Sequence, residues 1–346
     1  MIARRSWFIT FAMLFGFAFL YVPILSLIVF SFNESKLVTV WGGFSLKWYA
    51  ALWHNEPILH AARLSLLVGV VSASLATIVG TLGALALSRF GRFRGRTAFA
   101  LMLSAPMVMP EVILGLSALL LFVTLKQLIG WPAERGLLTI MLAHVVLLTA
   151  YVTIVAQSRL TQMDESMEEA ALDLGARPWK VFFVITLPQI APALMAAWLL
   201  AFTISIDDLV IASFASGPGA TTLPMVIYSK MRLGLTPEIN ALATIVVAVV
   251  ATGIALAALV LIVWLLVRHR AELLFCGGLS LVLGGALGNL WDRILHGHVV
   301  DFLLFHAGGW YWPAFNIADS AITVGAVVII FDGFISNRRV STRESD

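Results

Sequence analysis

Charged residues are scarce in this chain. Asp and Glu number 19 and Lys and Arg 22 in 346 residues, 12% in all, against 60% hydrophobic residues. Soluble domains run at about 25% charge, and the mean hydropathy here is +0.97, so the composition excludes an ordinary soluble domain and asks to be read in membrane spans and loops. Cysteine is almost absent: Cys276 stands alone in an apolar run, which excludes an internal disulfide and leaves packing as its role. Also missing are Gly-x-Gly-x-x-Gly, a Walker-type phosphate loop and HExxH, so no soluble catalytic module is carried and no metal site is expected. No small-x-small cleavage site closes the first apolar run, and an uncleaved first span is expected. The formal charge of +3 says little about partners, and no nucleic-acid partner is expected.

What remains is apolar length. A spanning helix needs about 20 mostly apolar residues, and eight segments come near it: 7-31, 64-87, 99-125, 137-157, 190-214, 239-267, 273-290 and 317-335. Arg4 and Arg5 precede the first, RFGRFRGR (89-96) separates the second and third, RHR (268-270) follows the sixth, and NRRVSTR follows the eighth. With these on the cytoplasmic side, the spans alternate without exception and both termini are cytoplasmic. The arginines read as topological anchors. Loops 32-63, 215-238 and 291-316 then face outward, and WGGFSLKWYAALWHNEP in the first suits an interfacial belt or a short surface helix.

The largest cytoplasmic insertion is RLTQMDESMEEAALDLGARPWKVFFVITLP, 159-188. Asp164 can cap a helix whose first turns hold Glu165, Glu168 and Glu169. Gly175 suits a C-terminal cap and Pro178 the first turn of a new helix. The pattern predicts helix, sharp glycine turn, helix. It serves either as a coupling element that a soluble partner pushes or as an amphipathic connector on the bilayer surface.

Glu169-Ala170-Ala171, then Gly175, then nine residues to ITLP at 185-188, resembles the signature loop of the inner-membrane permease subunits of binding-protein-dependent ABC importers. YVPILSLIVFSFNESK (21-36), APMVMPEVILGLS (105-117), ISIDDLVIASFASGPGATTLPMVIYS (204-229) and PEINALATIV (237-246) resemble the polyamine (putrescine/spermidine) branch. The resemblance covers 1-268 with six spans. It implies a second, similar permease, two ATPase subunits that grip one such loop each, and a periplasmic polyamine-binding protein. Glu169, Ala170, Ala171, Gly175 and Pro188 are the expected ATPase-coupling residues, within the loop 164-188. No cofactor is expected on this chain, because ATP would be hydrolysed by the partner subunits.

Three carboxylates fall inside apolar segments: Glu111, after Pro106 and Pro110, and Asp207 and Asp208 in the fifth. An ionised carboxylate at membrane depth costs several kcal/mol unless it is paired or faces a cavity. They are candidates for a cationic substrate path, or, for Asp208 and Glu111, for holding a helix break by bonding freed backbone groups.

The tail, 272-338, carries Asp292, Asp301 and Asp319 beside two apolar segments. Charge parity places Asp301 in the outer loop and Asp319 at the outer entrance of the last span. Two carboxylates brought together cannot both ionise cheaply, so one holds a proton while the other activates water. The plainer reading is that they mark helix ends, with Asp292-Arg293 a loop ion pair. GGALGNLWDRILHGHVVDF with WYWPAFNIADSAITVGAV resembles the C-terminal half of lipoprotein signal peptidase, a four-span aspartyl peptidase of lipid-modified prolipoproteins. That resemblance implies Asp301 and Asp319 as the catalytic dyad, with Asn289, Asp292, Arg293 and Asn316 in support. The two earlier spans of that fold are missing here.

The expectation is an all-α membrane protein of the cell inner membrane, multi-pass. It has a six-span ABC importer permease bundle, 1-268, followed by two further transmembrane helices, 272-338, from a truncated four-span peptidase-like bundle. The leading function is a polyamine importer permease. The alternative is a membrane aspartyl endopeptidase with a prolipoprotein substrate, and a third reading is an inert tail that packs beside the permease.

Overall fold

The computed structural model describes residues 7–37, 40–234, 236–268, 270, 272–296 and 315–343, with positions 299, 301, 303, 306, 307, 310 and 311. The chain divides into two units, Met1–Thr244 and Ile245–Asp346, with the boundary inside one helix. The described residues are almost wholly helical, as a chain must be where lipid offers no partner for backbone N–H and C=O groups. Among the described residues five helices are long and apolar enough to cross a membrane: Phe11–Ser31, Glu56–Arg89, Glu111–Ile129, Leu137–Gln162 and Pro178–Asp207.

In the first unit α1 (Trp7–Ser31) is apolar on every side, and Phe11, Phe15 and Phe19 stay exposed within this chain. Such a helix meets lipid or another subunit around its circumference. The loop that follows folds on Asn33, which is fully buried. Its Nδ2 donates to the carbonyls of Leu37 and Val40, and its Oδ1 accepts from the N–H groups of Ser35 and Gly42. The Trp48 indole N–H donates to its carbonyl at 2.7 Å, seating the short helix α2 (Lys47–Trp53).

The frame is α3 (Glu56–Arg89), α6 (Leu137–Gln162) and α9 (Leu187–Asp207). Asn55 caps α3 by accepting from the Ile58 N–H, and Pro57 occupies its first turn. Ala73, Ala76, Ala84, Ala150, Ala156, Ala197 and Ala201 are fully or almost fully buried where the three helices meet. A Cβ on Gly80 would stand 2.8 Å from the Val152 Cβ. Small residues let backbones approach closely, which is how helices associate without a hydrophobic drive between them.

Two of the expected spans are broken. Segment 99-125 becomes α4 (Arg96–Val108) and α5 (Glu111–Ile129), because Pro110 forces Met109 into extended backbone with ψ 140°. Segment 190-214 begins earlier, in α8 (Pro178–Val181) and a π-helical turn (Phe182–Thr186) that run into α9, with α7 (Ser166–Asp173) ahead of them across the turn at Gly175. It then breaks at Asp208 before α10 (Val210–Ala215). Helix α11 (Leu223–Leu233) lies in the expected outer loop 215-238, and α12 (Pro237–Arg268) starts in the last two residues of that loop.

The second unit holds the rest of α12, then α13 (Leu273–His296) and α14 (Ile317–Arg343). A two-residue antiparallel pair, β1 (His306–Ala307) and β2 (Trp310–Tyr311), lies between them. Helices α13 and α14 run antiparallel: a Cβ on Gly278 would lie 2.8 Å from the Gly325 carbonyl oxygen, and one on Gly285 would meet that of Ala318.

Candidate functional site

The loop 159–188 has the predicted helix, glycine turn and helix. Its first helix begins at Ser166 with Glu165, not the expected Asp164, at the cap position; Asp164 Oδ1 accepts from the Ser166 N–H at 3.0 Å in a tight turn just ahead of it. That backbone bond, and then the Ser166 hydroxyl, hold the Asp164 carboxyl below its ordinary value. The turn is therefore stabilised at neutral pH and loses that contribution only as pH falls through the lowered value. The helix ends in a Schellman motif. The Gly175 N–H donates to the Leu172 carbonyl at 2.9 Å and the Ala176 N–H to that of Ala171 at 3.0 Å. Gly175 has φ +82° with open space around it, so backbone conformation alone demands glycine. Pro178 opens α8 in its first turn.

Of the expected coupling residues, Glu169, Ala170 and Pro188 are exposed and Ala171 is half-buried. Apolar side chains stand out around them: Leu174 is 90% exposed, and Met167 and Trp179 are exposed as well. The loop is tied down by an arginine read from sequence only as a topological anchor. Arg89, in the last turn of α3, bonds Glu165 at 2.8 Å and Glu168 at 2.7 Å, and the Thr186 hydroxyl donates to Glu168 at 2.6 Å. A cavity of about 470 Å³ lies beside this cluster, walled by Leu82, Phe90, Leu172, Val181 and Phe182.

The three intramembrane carboxylates part company. Asp207 and Glu111 are exposed and have no side-chain partner among the described residues. Asp208 is buried. Its Oδ1 accepts from the Ile211 N–H at 3.2 Å and its Oδ2 from the Ala212 N–H at 2.7 Å, which caps α10. His144 Nε2 lies 3.1 Å from Oδ2, and its Nδ1 lies 2.7 Å from Ser205 Oγ. An ionised carboxylate only accepts, so Nε2 carries the proton of that bond. His144 and Ser205 were not singled out from the sequence: His144 lies in none of the quoted motifs, and its contact with Ser205 crosses 61 positions.

In the second unit Asp301 and Asp319 converge on one side chain. An antiparallel bridge, Leu303 N–H to the Phe315 carbonyl at 2.8 Å and the reverse bond at 3.0 Å, carries 301 back beside the start of α14. The Asn316 amide nitrogen donates to Asp301 Oδ1 at 3.2 Å and to Asn289 Oδ1 at 2.9 Å. Asn289 in turn donates to Asp319 Oδ1 at 2.8 Å. Asn316 Oδ1 accepts from the Asp319 N–H at 2.8 Å, and Asp319 Oδ2 accepts from the Asn316 N–H at 3.4 Å, so the two cap α14 reciprocally. A carboxylate in that first turn meets the positive end of the helix. Asp292 stands half-buried near the end of α13, which extends into the expected outer loop, and the Arg293 side chain lies outside the described residues.

The first unit is a helical bundle closely packed at small residues, and the chain belongs to the family of polyamine transport system permeases. It is 59% identical over 249 residues to the putrescine transport system permease protein PotI of Escherichia coli K12, covering 72% of this chain and 88% of that protein. It is 42% identical over 229 residues to the spermidine/putrescine transport system permease protein PotC of the same organism, covering 66% and 84%. A solved bacterial ABC transporter involved in import of the acidic polysaccharide alginate shares the fold, with TM-score 0.56 at 18% identity over 75% of this chain and 96% of that one.

The tail has relatives of another kind. The family model described as signal peptidase (SPase) II matches residues 200–335. The lipoprotein signal peptidase of Paraburkholderia phymatum is 58% identical over 81 residues, which are 23% of this chain and 49% of that protein. The chain therefore spans about half the length of that relative.

Proposed function

We propose that residues 1–268 are the permease subunit of a polyamine importer in the cell inner membrane, with six spans and both termini cytoplasmic. The 59% identity to a putrescine permease over 88% of its length carries this reading. A second permease, two ATPase subunits and a periplasmic polyamine-binding protein complete the machine, and the ATPase subunits hydrolyse the ATP. The loop 164–188 is the coupling element: the Arg89 cluster fixes its base while Met167, Leu174 and Trp179 offer apolar surface to a soluble partner. Asp207 and Glu111, exposed and unpartnered, are the carboxylates available to a diammonium cargo, whereas Asp208 is committed to its cap.

The test is uptake of radiolabelled putrescine by E. coli K12 cells that lack PotI and express this chain. Uptake is expected to return, and Gly175→Val to reduce it on the order of tenfold at equal membrane abundance. A β-branched side chain at φ +82° is strained by at least about 1–2 kcal/mol, and the turn that aims α8 is lost. No uptake by the unaltered chain, or full uptake by the variant, would refute the reading.

One observation favours a second reading for residues 272–338. Asn316 bonds Asp301 and, through Asn289 and its own backbone, Asp319, so the two carboxylates are bridged by shared donors in one cluster, which supports an aspartyl-peptidase reading in which one carboxyl holds a proton while the other activates water. Half of the related peptidase is absent, and such a site works only when the groups around it are held to within roughly 0.5 Å. The expected result is that the purified chain leaves a diacylated prolipoprotein uncleaved. Cleavage that Asp301→Asn or Asp319→Asn abolishes would make the tail an enzyme.

A further inference from the structure

The three side chains of the Arg89 cluster come from three elements. Arg89 closes α3, Glu168 lies in α7, and Thr186 ends the π-helical turn that leads into α9. Glu168 is the hub, with one oxygen on the Arg89 guanidinium and the other on the Thr186 hydroxyl. Side-chain exposure is 14% for Arg89 and 12% for Glu168, against 56% for Glu165. Parting a sheltered pair leaves each charge unpaired where water reaches it poorly, so the pair resists separation more than an exposed one does. A topological anchor needs only charge. This arginine is seated in a fixed fork.

The placement has a mechanical consequence. Helices α3 and α9 both pack against α6 in the core, and Glu168 of α7 ties the end of α3 to the turn that leads into α9. A π-helical turn is a register slip inside a helix, and Glu168 holds its last residue, Thr186, by accepting from the hydroxyl at 2.6 Å. We propose that Arg89 is a positioning residue for energy coupling: through Glu168 and Thr186 it transmits a displacement of the inner loop to α3 and α9 together. Without the clamp, α7 tilts on the Gly175 turn while the bundle stays still. This rests on the reading of the loop as the ATPase contact.

The experiment assembles the full chain with the other subunits of the E. coli K12 putrescine system in vesicles, and measures putrescine moved per ATP hydrolysed. Arg89→Gln is expected to keep the ATPase subunits bound and hydrolysis within about twofold, while uptake falls about tenfold. Arg89→Lys, which keeps the charge but not the fork, recovers part of the ratio. Arg89→Gln with Glu168→Gln leaves no buried orphan charge, so it keeps the test available if the single variant fails to fold, and it too lowers the ratio. Arg92→Gln, an exposed arginine three positions on, leaves the ratio unchanged. Uptake and hydrolysis falling in parallel, with the ratio intact, would overturn the clamp while sparing the coupling reading. Failure of the unaltered chain to retain the ATPase subunits would overturn the coupling reading, and the clamp with it.

Discussion

Asp208→Ala destabilises the first unit by about 3 kcal/mol, while Asp207→Ala, one residue away, changes its stability by less than about 0.5 kcal/mol. The first change leaves the Ile211 and Ala212 N–H groups and the His144 Nε2–H without their acceptor in the interior, and orphaned buried donors cost about 1–3 kcal/mol each before relaxation. The second removes an exposed carboxylate with no described partner, and such surface changes are usually small. Asp208→Asn falls between them, because an amide oxygen still accepts. Thermal unfolding of the purified full chain in detergent reads all three. Equal losses for the two alanine variants would sink the assignment of Asp208 as the cap and Asp207 as the free group. Uptake should invert the order in one respect: Asp207→Ala alone lowers transport at unchanged stability.

Gly285→Val forces α13 and α14 apart. A Cβ there meets the Ala318 carbonyl oxygen and stands 2.7 Å from Ile322 Cγ1, and a backbone oxygen moves only if its helix moves. Overpacking costs about 1–3 kcal/mol where side chains can give, and a backbone contact belongs at the top of that range. Lipid supplies no hydrophobic drive to reclose the pair. The Asn289–Asp319 bond, which joins the two helices, goes with it. Gly284→Val has open space and is expected to be neutral. Hydrogen exchange at the amides of Asp319 and Ser320, both bonded to Asn316, should accelerate strongly in the first variant and stay unchanged in the second. Protection retained in Gly285→Val would show that the cluster forms without the close helix pair.

What could be read ahead of the structure was local. Gly175 and Pro178 were readable because a left-handed cap and a first-turn proline are decided within a few residues, and Pro110 likewise announced the break before α5. Arg89 was misjudged as charge for topology alone because its partner Glu168 lies 79 positions away. His144 and Asp208 are separated by 64, and nothing in an apolar helix reports that one histidine faces another helix's end. Asp301 and Asp319 were paired by resemblance. What brings them to a common neighbour is the Leu303–Phe315 bridge, a turn of chain with no short-range signature.

Asn289, Asp301, Asn316 and Asp319 are all gathered by α13, α14 and the chain between them. Every bond of that cluster is closed within 289–319, so this one stretch is enough to build it. A chain that acquires the stretch acquires the cluster with it, whatever precedes it in sequence.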